Sequence, residues 1–143
     1  MNYLDNHDQI CSIILVNTNI STNMYTMLDM PCGDITAICL KGEFGHYAIF
    51  NIYNDCSNNN LTTVLKNFLN THSQEILPSP NNHMYWFGDF NRHHPLWETD
   101  DNNHLFNLAD MINPLLVLIT EYNMAVTLPH EILTYEMTTS NWT

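Results

Sequence analysis

Residues 34–53 read D-I-T-A-I-C-L-K-G-E-F-G-H-Y-A-I-F-N-I-Y, and the prediction of the fold rests on them. Its two ends, residues 34–41 and 46–53, are rich in apolar and β-branched side chains. Between them lies G-E-F-G (residues 42–45), and a short glycine-containing connector between two β runs is typical of a hairpin. The sequence therefore predicts an antiparallel pair of strands.

Further strands are predicted on both sides of this hairpin. Residues 10–16 (I-C-S-I-I-L-V) are almost continuously apolar, which predicts a strand covered on both faces. Residues 83–87 (H-M-Y-W-F) predict a short aromatic strand that ends at Gly88. Two more short strands are predicted over residues 124–128 and 132–137.

Two stretches carry apolar side chains at helical spacing. A polar cluster at residues 54–60 can supply an N-cap for a helix whose apolar positions lie within residues 61–69. A longer stripe covers residues 105–122 and contains Pro114, which predicts a kink or a second helix that starts there. Together with the strands, this order of elements predicts a layered α/β sandwich.

The composition excludes several classes of protein. The 143 residues are 45% hydrophobic, which is enough for one folded domain and argues against disorder. The formal charge is -12, and the three cations, Lys41, Lys66 and Arg92, are scattered, which disfavours a stand-alone nucleic-acid-binding module. Residues 1–9 show no secretory signal, and the longest fully apolar run is far shorter than a membrane span. We therefore expect an intracellular chain with no membrane partner.

The densest group of chemically active side chains reads G-D-F-N-R-H-H-P-L-W-E (residues 88–98). In extended backbone, Asp89 and Asn91 would share one face while Phe90 turns into the core. Such a pair suits phosphoryl chemistry, because a carboxylate can orient or polarise an attacking water and an amide can donate hydrogen bonds to a phosphate oxygen or to the nucleophile. Gly88 is expected to leave room for a substrate backbone. The same pattern also occurs at turns and helix caps, so both interpretations stay open from the residues alone.

The string G-D-F-N (residues 88–91), followed by H-H-P-L-W (residues 93–97), resembles the central motif of the endonuclease/exonuclease/phosphatase superfamily. The likeness is to the endonuclease domains of LINE-type (non-LTR) retrotransposons and related fungal sequences. Residues 50–55 (F-N-I-Y-N-D) lie where that family has a strand ending in a tyrosine, and residues 140–143 resemble the lead-in to its next acidic strand. The resemblance extends over residues 12–143.

The resemblance implies a four-layer α/β sandwich, in which two mixed sheets pack face to face with helices outside. It also implies a metal-dependent hydrolase that cleaves DNA or another phosphodiester by activated water, with Mg²⁺ or Mn²⁺ as cofactor. Tyr53 matches the tyrosine whose hydroxyl contacts the scissile phosphate. Asp89 matches the aspartate that aligns the attacking water and is a candidate metal ligand, and Asn91 matches the asparagine that stabilises this water. Three candidate substrate-binding residues follow in the loop: Arg92, His93 and His94.

The sequence also departs from the family pattern. The main metal ligand of the family is a glutamate on an early strand, preceded by an asparagine, and residues 1–10 contain no such pair. The expected late aspartate and Ser-Asp-His motif are not reached by Thr143, and Asn54 stands near the position where the family often has a proline. We therefore predict one partial domain over residues 1–143, incomplete at both ends, with little or no nuclease activity.

Two alternatives are weighed against this prediction. One is a zinc-type site, which is disfavoured because adjacent histidines in a strand point in opposite directions and no H-x-x-x-H pair is present. Its candidate ligands are His93, His94, Glu98, Asp100, Asp101 and His104. The four cysteines lack a C-x-x-C pair, which predicts reduced and mostly buried thiols. The other alternative is a non-catalytic remnant or binding module that retains the fold.

Overall fold

A computed structural model describes residues 10–55, 57, 59–76 and 81–127. The strands are β1 (Tyr25–Leu28), β2 (Ile35–Gly42), β3 (Gly45–Tyr53) and β4 (Asn82–Asp89). The helices are α1 (Asn60–Thr71), the single turn α2 (Ser73–Ile76) and α3 (Ala109–Glu121), with short 3-10 segments at Thr22–Met24 and Asp100–Leu105. The strand predicted at 132–137 and the lead-in at 140–143 lie outside the described residues.

The four strands form one sheet in the order β1-β2-β3-β4. The predicted hairpin is confirmed, because β2 and β3 pair antiparallel from Ile35↔Ile52 to Gly42↔Gly45. Gly45 is required at the turn, since its φ is +138° and a Cβ there would lie 1.5 Å from the carbonyl oxygen of Asn81. β1 pairs antiparallel with β2, whereas β4 runs parallel to β3.

The helices cover one face of this sheet. The connection from β3 to β4 passes through α1, as a crossover between parallel strands requires. The predicted apolar stripe of α1 is confirmed: Phe68 packs edge to face against Phe50 of β3, with ring centroids 6.3 Å apart. α3 adds Leu118 to the same core. The other buried members of this core are Ile35, Ala37, Ala48, Ile52, Leu61, Leu65, Leu69, Ile76 and Met84.

Pro114 lies inside α3 without ending it, so the predicted second helix start is not found. A proline has no N–H for the carbonyl four residues back, which here belongs to Asp110. The Asp110 carbonyl oxygen accepts a 2.9 Å hydrogen bond from Nδ2 of Asn59 instead. A side chain from the start of α1 thus replaces the missing helical bond, and α3 continues.

The other face of the sheet is only partly covered. Residues 12 and 13 accept hydrogen bonds from the side chains of Thr36 and Asn51 on this face, and Ile38 is 4% exposed. Met27 of β1 is 71% exposed and Phe87 of β4 is 55% exposed, and the register places both on the face opposite Phe50. The described residues therefore form a mixed α/β arrangement of one four-stranded sheet and one layer of helices. The second sheet of the predicted four-layer sandwich is not among them.

Two predicted strands are wrong within the described residues. Residues 10–16 are irregular, because the N–H groups of Cys11 and Ser12 both donate to the carbonyl oxygen of Gly33 (3.0 and 3.2 Å) and no ladder forms. An apolar run becomes a strand only when a neighbouring strand pairs with it, and several apolar side chains of this segment stay exposed. Residues 124–127, the described part of the predicted strand at 124–128, are irregular as well.

Two expectations from composition can also be compared with the structure. Cys11 is exposed and Cys32 and Cys39 are only partly buried, so the prediction of mostly buried cysteines is wrong for these three. Across the described ranges, no helix combines the length and the apolar character that crossing a membrane demands.

Candidate functional site

The carboxyl ends of β3 and β4 lie side by side because these strands are parallel. Their last residues, Tyr53 and Asp89, are register partners, and partners in a sheet point to the same face. Asp89 is exposed and the Tyr53 side chain is 40% exposed. The structure therefore brings two predicted site residues together at an edge of the sheet that solvent reaches.

Gly88 brings the backbones of β3 and β4 into close contact directly before Asp89. Its φ is +119°, and a Cβ at this position would lie 2.0 Å from the carbonyl oxygen of Ile52. The space beside Gly88 is thus occupied by the backbone of β3. The expectation that this glycine leaves room for a substrate backbone is corrected.

Asn91 lies in a turn and does not continue the strand. Its φ is 46°, and its N–H donates a 2.9 Å hydrogen bond to Oδ1 of Asp89. Asp and Asn side chains commonly bond to the backbone two residues on, which ends the extended conformation. The prediction that Asp89 and Asn91 share a strand face is therefore wrong, although the turn keeps the two residues in direct contact.

Asn54 is a site residue that the sequence does not single out by chemistry. It is 1% exposed, and its backbone N–H donates to the carbonyl oxygen of Asp89 at 2.8 Å. Its Nδ2 donates to the carbonyl oxygen of Phe90, and its own carbonyl oxygen accepts from Nδ2 of Asn91, both at 2.8 Å. The sequence does offer one sign of this role: a polar residue directly follows the apolar run of β3, near the position where the family often has a proline.

Arg92 points into the protein. It is 4% exposed, and its guanidinium donates to the carbonyl oxygens of Met111 (3.1 Å), Asp55 (3.2 Å) and Asn91 (2.8 Å). A further 3.0 Å bond reaches Oδ1 of Asn59. These contacts tie the site loop to the start of α1 and to α3. The prediction that Arg92 binds substrate is corrected, because that role requires an accessible guanidinium.

The residues that form this site lie within a match to a known protein family. A family model described as endonuclease-reverse transcriptase matches residues 47–143, more than half of the chain. The chain belongs to this family. The match begins inside β3 and includes Tyr53, Asp89 and Asn91, and it supports a domain of the endonuclease/exonuclease/phosphatase type. No curated protein and no solved structure matches the chain.

In this endonuclease-reverse transcriptase domain, the histidine loop after the site is held by its own side chains. Nδ1 of His93 lies 2.6 Å from Oε1 of Glu98, and the Trp97 indole N–H donates to the carbonyl oxygen of Arg92 at 2.8 Å. Among the residues the structure describes, no group of three or more His, Cys, Asp or Glu side chains could hold a metal ion, which removes support for a zinc-type site there. Substrate contacts by His93 and His94, both partly buried, stay a prediction.

Proposed function

We propose that the chain is an endonuclease domain of the LINE type that hydrolyses DNA phosphodiester bonds with an activated water molecule. One observation carries the proposal: Tyr53 and Asp89 are register partners at the ends of two parallel strands, within the residues that the family model matches. A tyrosine hydroxyl and a carboxylate on one face of the sheet can supply a donor for a phosphate oxygen and an acceptor for a proton of water.

Asp89 is the proposed group that orients the attacking water and accepts its proton. Oδ1 of Asp89 already accepts the N–H of Asn91 at 2.9 Å, so Oδ2 is the oxygen that would face the water. The bond to Oδ1 limits rotation of the carboxylate, which keeps Oδ2 in place during attack. Tyr53 would donate a hydrogen bond to the scissile phosphate, where negative charge develops in the transition state.

A divalent cation, Mg²⁺ or Mn²⁺, is part of the proposal. Mg²⁺ prefers octahedral oxygen coordination and is usually held by one or two carboxylates together with water and substrate phosphates. Asp89 supplies a carboxylate and Asn91 an amide oxygen, and no cluster of three ionisable ligands surrounds them in the described part of the chain. This donor set fits a loosely held ion with Asp89 as its ligand. When bound, such an ion neutralises charge on the phosphate.

The four-layer sandwich is the architecture that we propose for the complete domain. Tyr85 and Phe87 are both exposed on the partly covered face of the sheet, with ring centroids 6.2 Å apart in a stacked arrangement. Soluble proteins rarely leave an extended apolar surface of this kind in water. A second sheet packed on this face would cover both rings and Met27.

DNA is the proposed partner despite the formal charge of -12. Of the three Lys and Arg residues, Arg92 is buried and Lys66 forms a 2.8 Å ion pair with Glu121, while Lys41 is exposed. The chain can therefore neutralise few phosphates by itself, and divalent cations have to screen the acidic surface. We expect weak DNA binding.

Nicking of supercoiled plasmid tests the proposal. We expect slow nicking that requires Mg²⁺ or Mn²⁺ and stops when EDTA removes the metal, because few ligands surround the ion. Asp89→Ala should abolish nicking. The matched control Asp29→Ala removes an exposed carboxylate just after β1 and should retain it. Nicking that persists in Asp89→Ala would overturn the proposed site, and fast nicking by the unmodified chain would overturn the prediction of a partial active site.

A non-catalytic binding module is the second candidate function. It is favoured by the small number of ligands around Asp89 in the described residues. This candidate predicts that the unmodified chain and Asp89→Ala bind a DNA duplex equally in a gel-shift assay and that neither nicks plasmid.

A further inference from the structure

We propose that Asn54 is a positioning residue that holds Asp89 and Asn91 in the orientation needed for phosphodiester cleavage. The proposal rests on the proposed function, because it concerns the residues to which that function assigns the chemistry. Asn54 directly follows Tyr53 at the end of β3 and lies outside the G-D-F-N motif.

Asn54 connects the end of β3 to three consecutive residues of the motif. Its backbone N–H donates to the carbonyl oxygen of Asp89, and its Nδ2 donates to that of Phe90, each at 2.8 Å. Its own carbonyl oxygen accepts from Nδ2 of Asn91 at 2.8 Å. Because the side chain of Asn54 holds the Phe90 carbonyl, it restrains the peptide bond that joins Phe90 to Asn91.

The burial of Asn54 indicates that packing alone does not explain this residue. It is 1% exposed, and its Oδ1 is buried without a hydrogen-bond partner among the described residues. An unpaired buried amide oxygen is unfavourable. Phe50 and Ile52, which point to the same side of β3, are apolar and belong to the core. An apolar residue at position 54 would avoid the penalty, but it could not donate to Phe90.

Asn54 also decides which end of the Asn91 amide faces the site. Asn91 has a φ of 46°, so its backbone is left-handed, and its Nδ2 is directed at the Asn54 carbonyl. Oδ1 is then the atom directed away from that bond. An amide oxygen accepts a hydrogen bond from water or binds a cation, whereas it repels a phosphate oxygen. Asn91 is thereby assigned to the attacking water, not to the phosphate.

Hydrogen exchange followed by ¹⁵N NMR tests this arrangement without requiring nuclease activity. The reporters are the backbone N–H groups of residues 54 and 91, both hydrogen-bonded to Asp89. Asn54→Ala should speed their exchange about tenfold relative to the β2–β3 ladder, because a lost buried bond changes local opening by that order. The matched control is Asn51→Ala on the same strand, whose Nδ2 donates to the carbonyl oxygen of Ile13 at 3.0 Å. It should leave both reporters unchanged.

Acceleration confined to the reporters supports the proposal, and either uniform acceleration or none overturns it. If Asn54→Ala does not fold, hydrogen exchange of side-chain amides in the unmodified chain tests the same contacts. The Nδ2 protons of Asn54 and Asn91 should exchange about tenfold more slowly than those of the exposed Asn113, and equal rates would refute the contacts.

A kinetic measurement separates positioning from folding. Where nicking is measurable, Asn54→Ala should lower kcat about tenfold with KM retained, because Asp89 and Asn91 act on the water and do not bind the DNA. Altered exchange with unchanged kcat would overturn the positioning role. A chain that never nicks while the exchange pattern is as expected would instead remove the proposed function and leave the Asn54 contacts established.

Discussion

The Gly88→Ala substitution tests whether the close contact between the backbones of β3 and β4 sets the position of Asp89. Gly88 has a φ of +119°, and an added Cβ would lie 2.0 Å from the carbonyl oxygen of Ile52 and 2.7 Å from its nitrogen. Both of these atoms belong to the backbone of β3, so no side-chain rotation relieves the overlap. The end of β4 has to move away from β3, and Asp89 moves with it.

The expected loss of stability has two parts. A left-handed φ at an alanine costs roughly 1–3 kcal/mol. Displacement of the strand end weakens ladder hydrogen bonds and packing by about 1–3 kcal/mol. We therefore expect the free energy of unfolding to fall by about 2–6 kcal/mol, a large share of the roughly 5–15 kcal/mol of a typical domain. The corresponding drop in Tm is about 5–20 °C.

Urea unfolding followed by tryptophan fluorescence measures this loss, with Gly42→Ala as the matched control. A Cβ at Gly42 would lie 2.9 Å from a ring carbon of Tyr47, a side chain that can shift. We expect a change below about 1 kcal/mol for the control. Equal losses in the two variants, or a loss below about 1 kcal/mol in Gly88→Ala, would refute the reasoning that the backbone of Ile52 fills this space.

Two further predictions concern the periphery of the site. Asn59→Ala should lower the free energy of unfolding by roughly 1–3 kcal/mol in urea, because the Asp110 carbonyl loses its donor and the buried Arg92 guanidinium loses an acceptor. The loss should be smaller in a Pro114→Ala background, which restores the helical N–H, and an equal loss in both backgrounds would contradict this account. Burial raises the pKa of the Cys32 thiol, and the nearby carboxylate of Asp34 adds to the effect. The pH profile for alkylation of Cys32 in the folded chain, followed by mass spectrometry, should have its midpoint above about 8.5, the midpoint of an ordinary thiol. A midpoint at or below that value would disprove the shift.

Local signals account for the parts of the fold that the sequence predicts. The hairpin follows from two apolar runs and a glycine-containing connector, and α1 follows from apolar spacing after a polar cluster. The strand predicted at 10–16 fails because apolar composition does not reveal whether a neighbouring strand is available. The continuous α3 is missed for a related reason: the donor that compensates Pro114 is Asn59, which is distant in sequence.

The candidate site, like the fold, can be predicted only in part from local sequence. The motif around Asp89 and the tyrosine at position 53 can be recognised from the residues and their resemblance to a family, but their adjacency depends on parallel pairing of β3 with β4. The sequence also does not reveal which partners Arg92, in the loop after the motif, contacts. Arg92 reads as a substrate contact in the sequence, yet its carbonyl acceptors at Asp55 and Met111 are brought to it from other elements.

Residues that are neighbours along the chain specify the hairpin, the apolar face of α1, the acidic charge and the motif, so these features can be predicted from the sequence. The folded structure adds three features that the sequence does not show: the turn of Asn91 out of the strand, the contact of Gly88 with the backbone of Ile52, and the hydrogen bonds between Asn54 and the motif. The two side-chain hydrogen bonds between Asn54 and the motif join residues 36 and 37 positions apart. Partners so distant are brought together by packing of the whole sheet, and no local propensity specifies them.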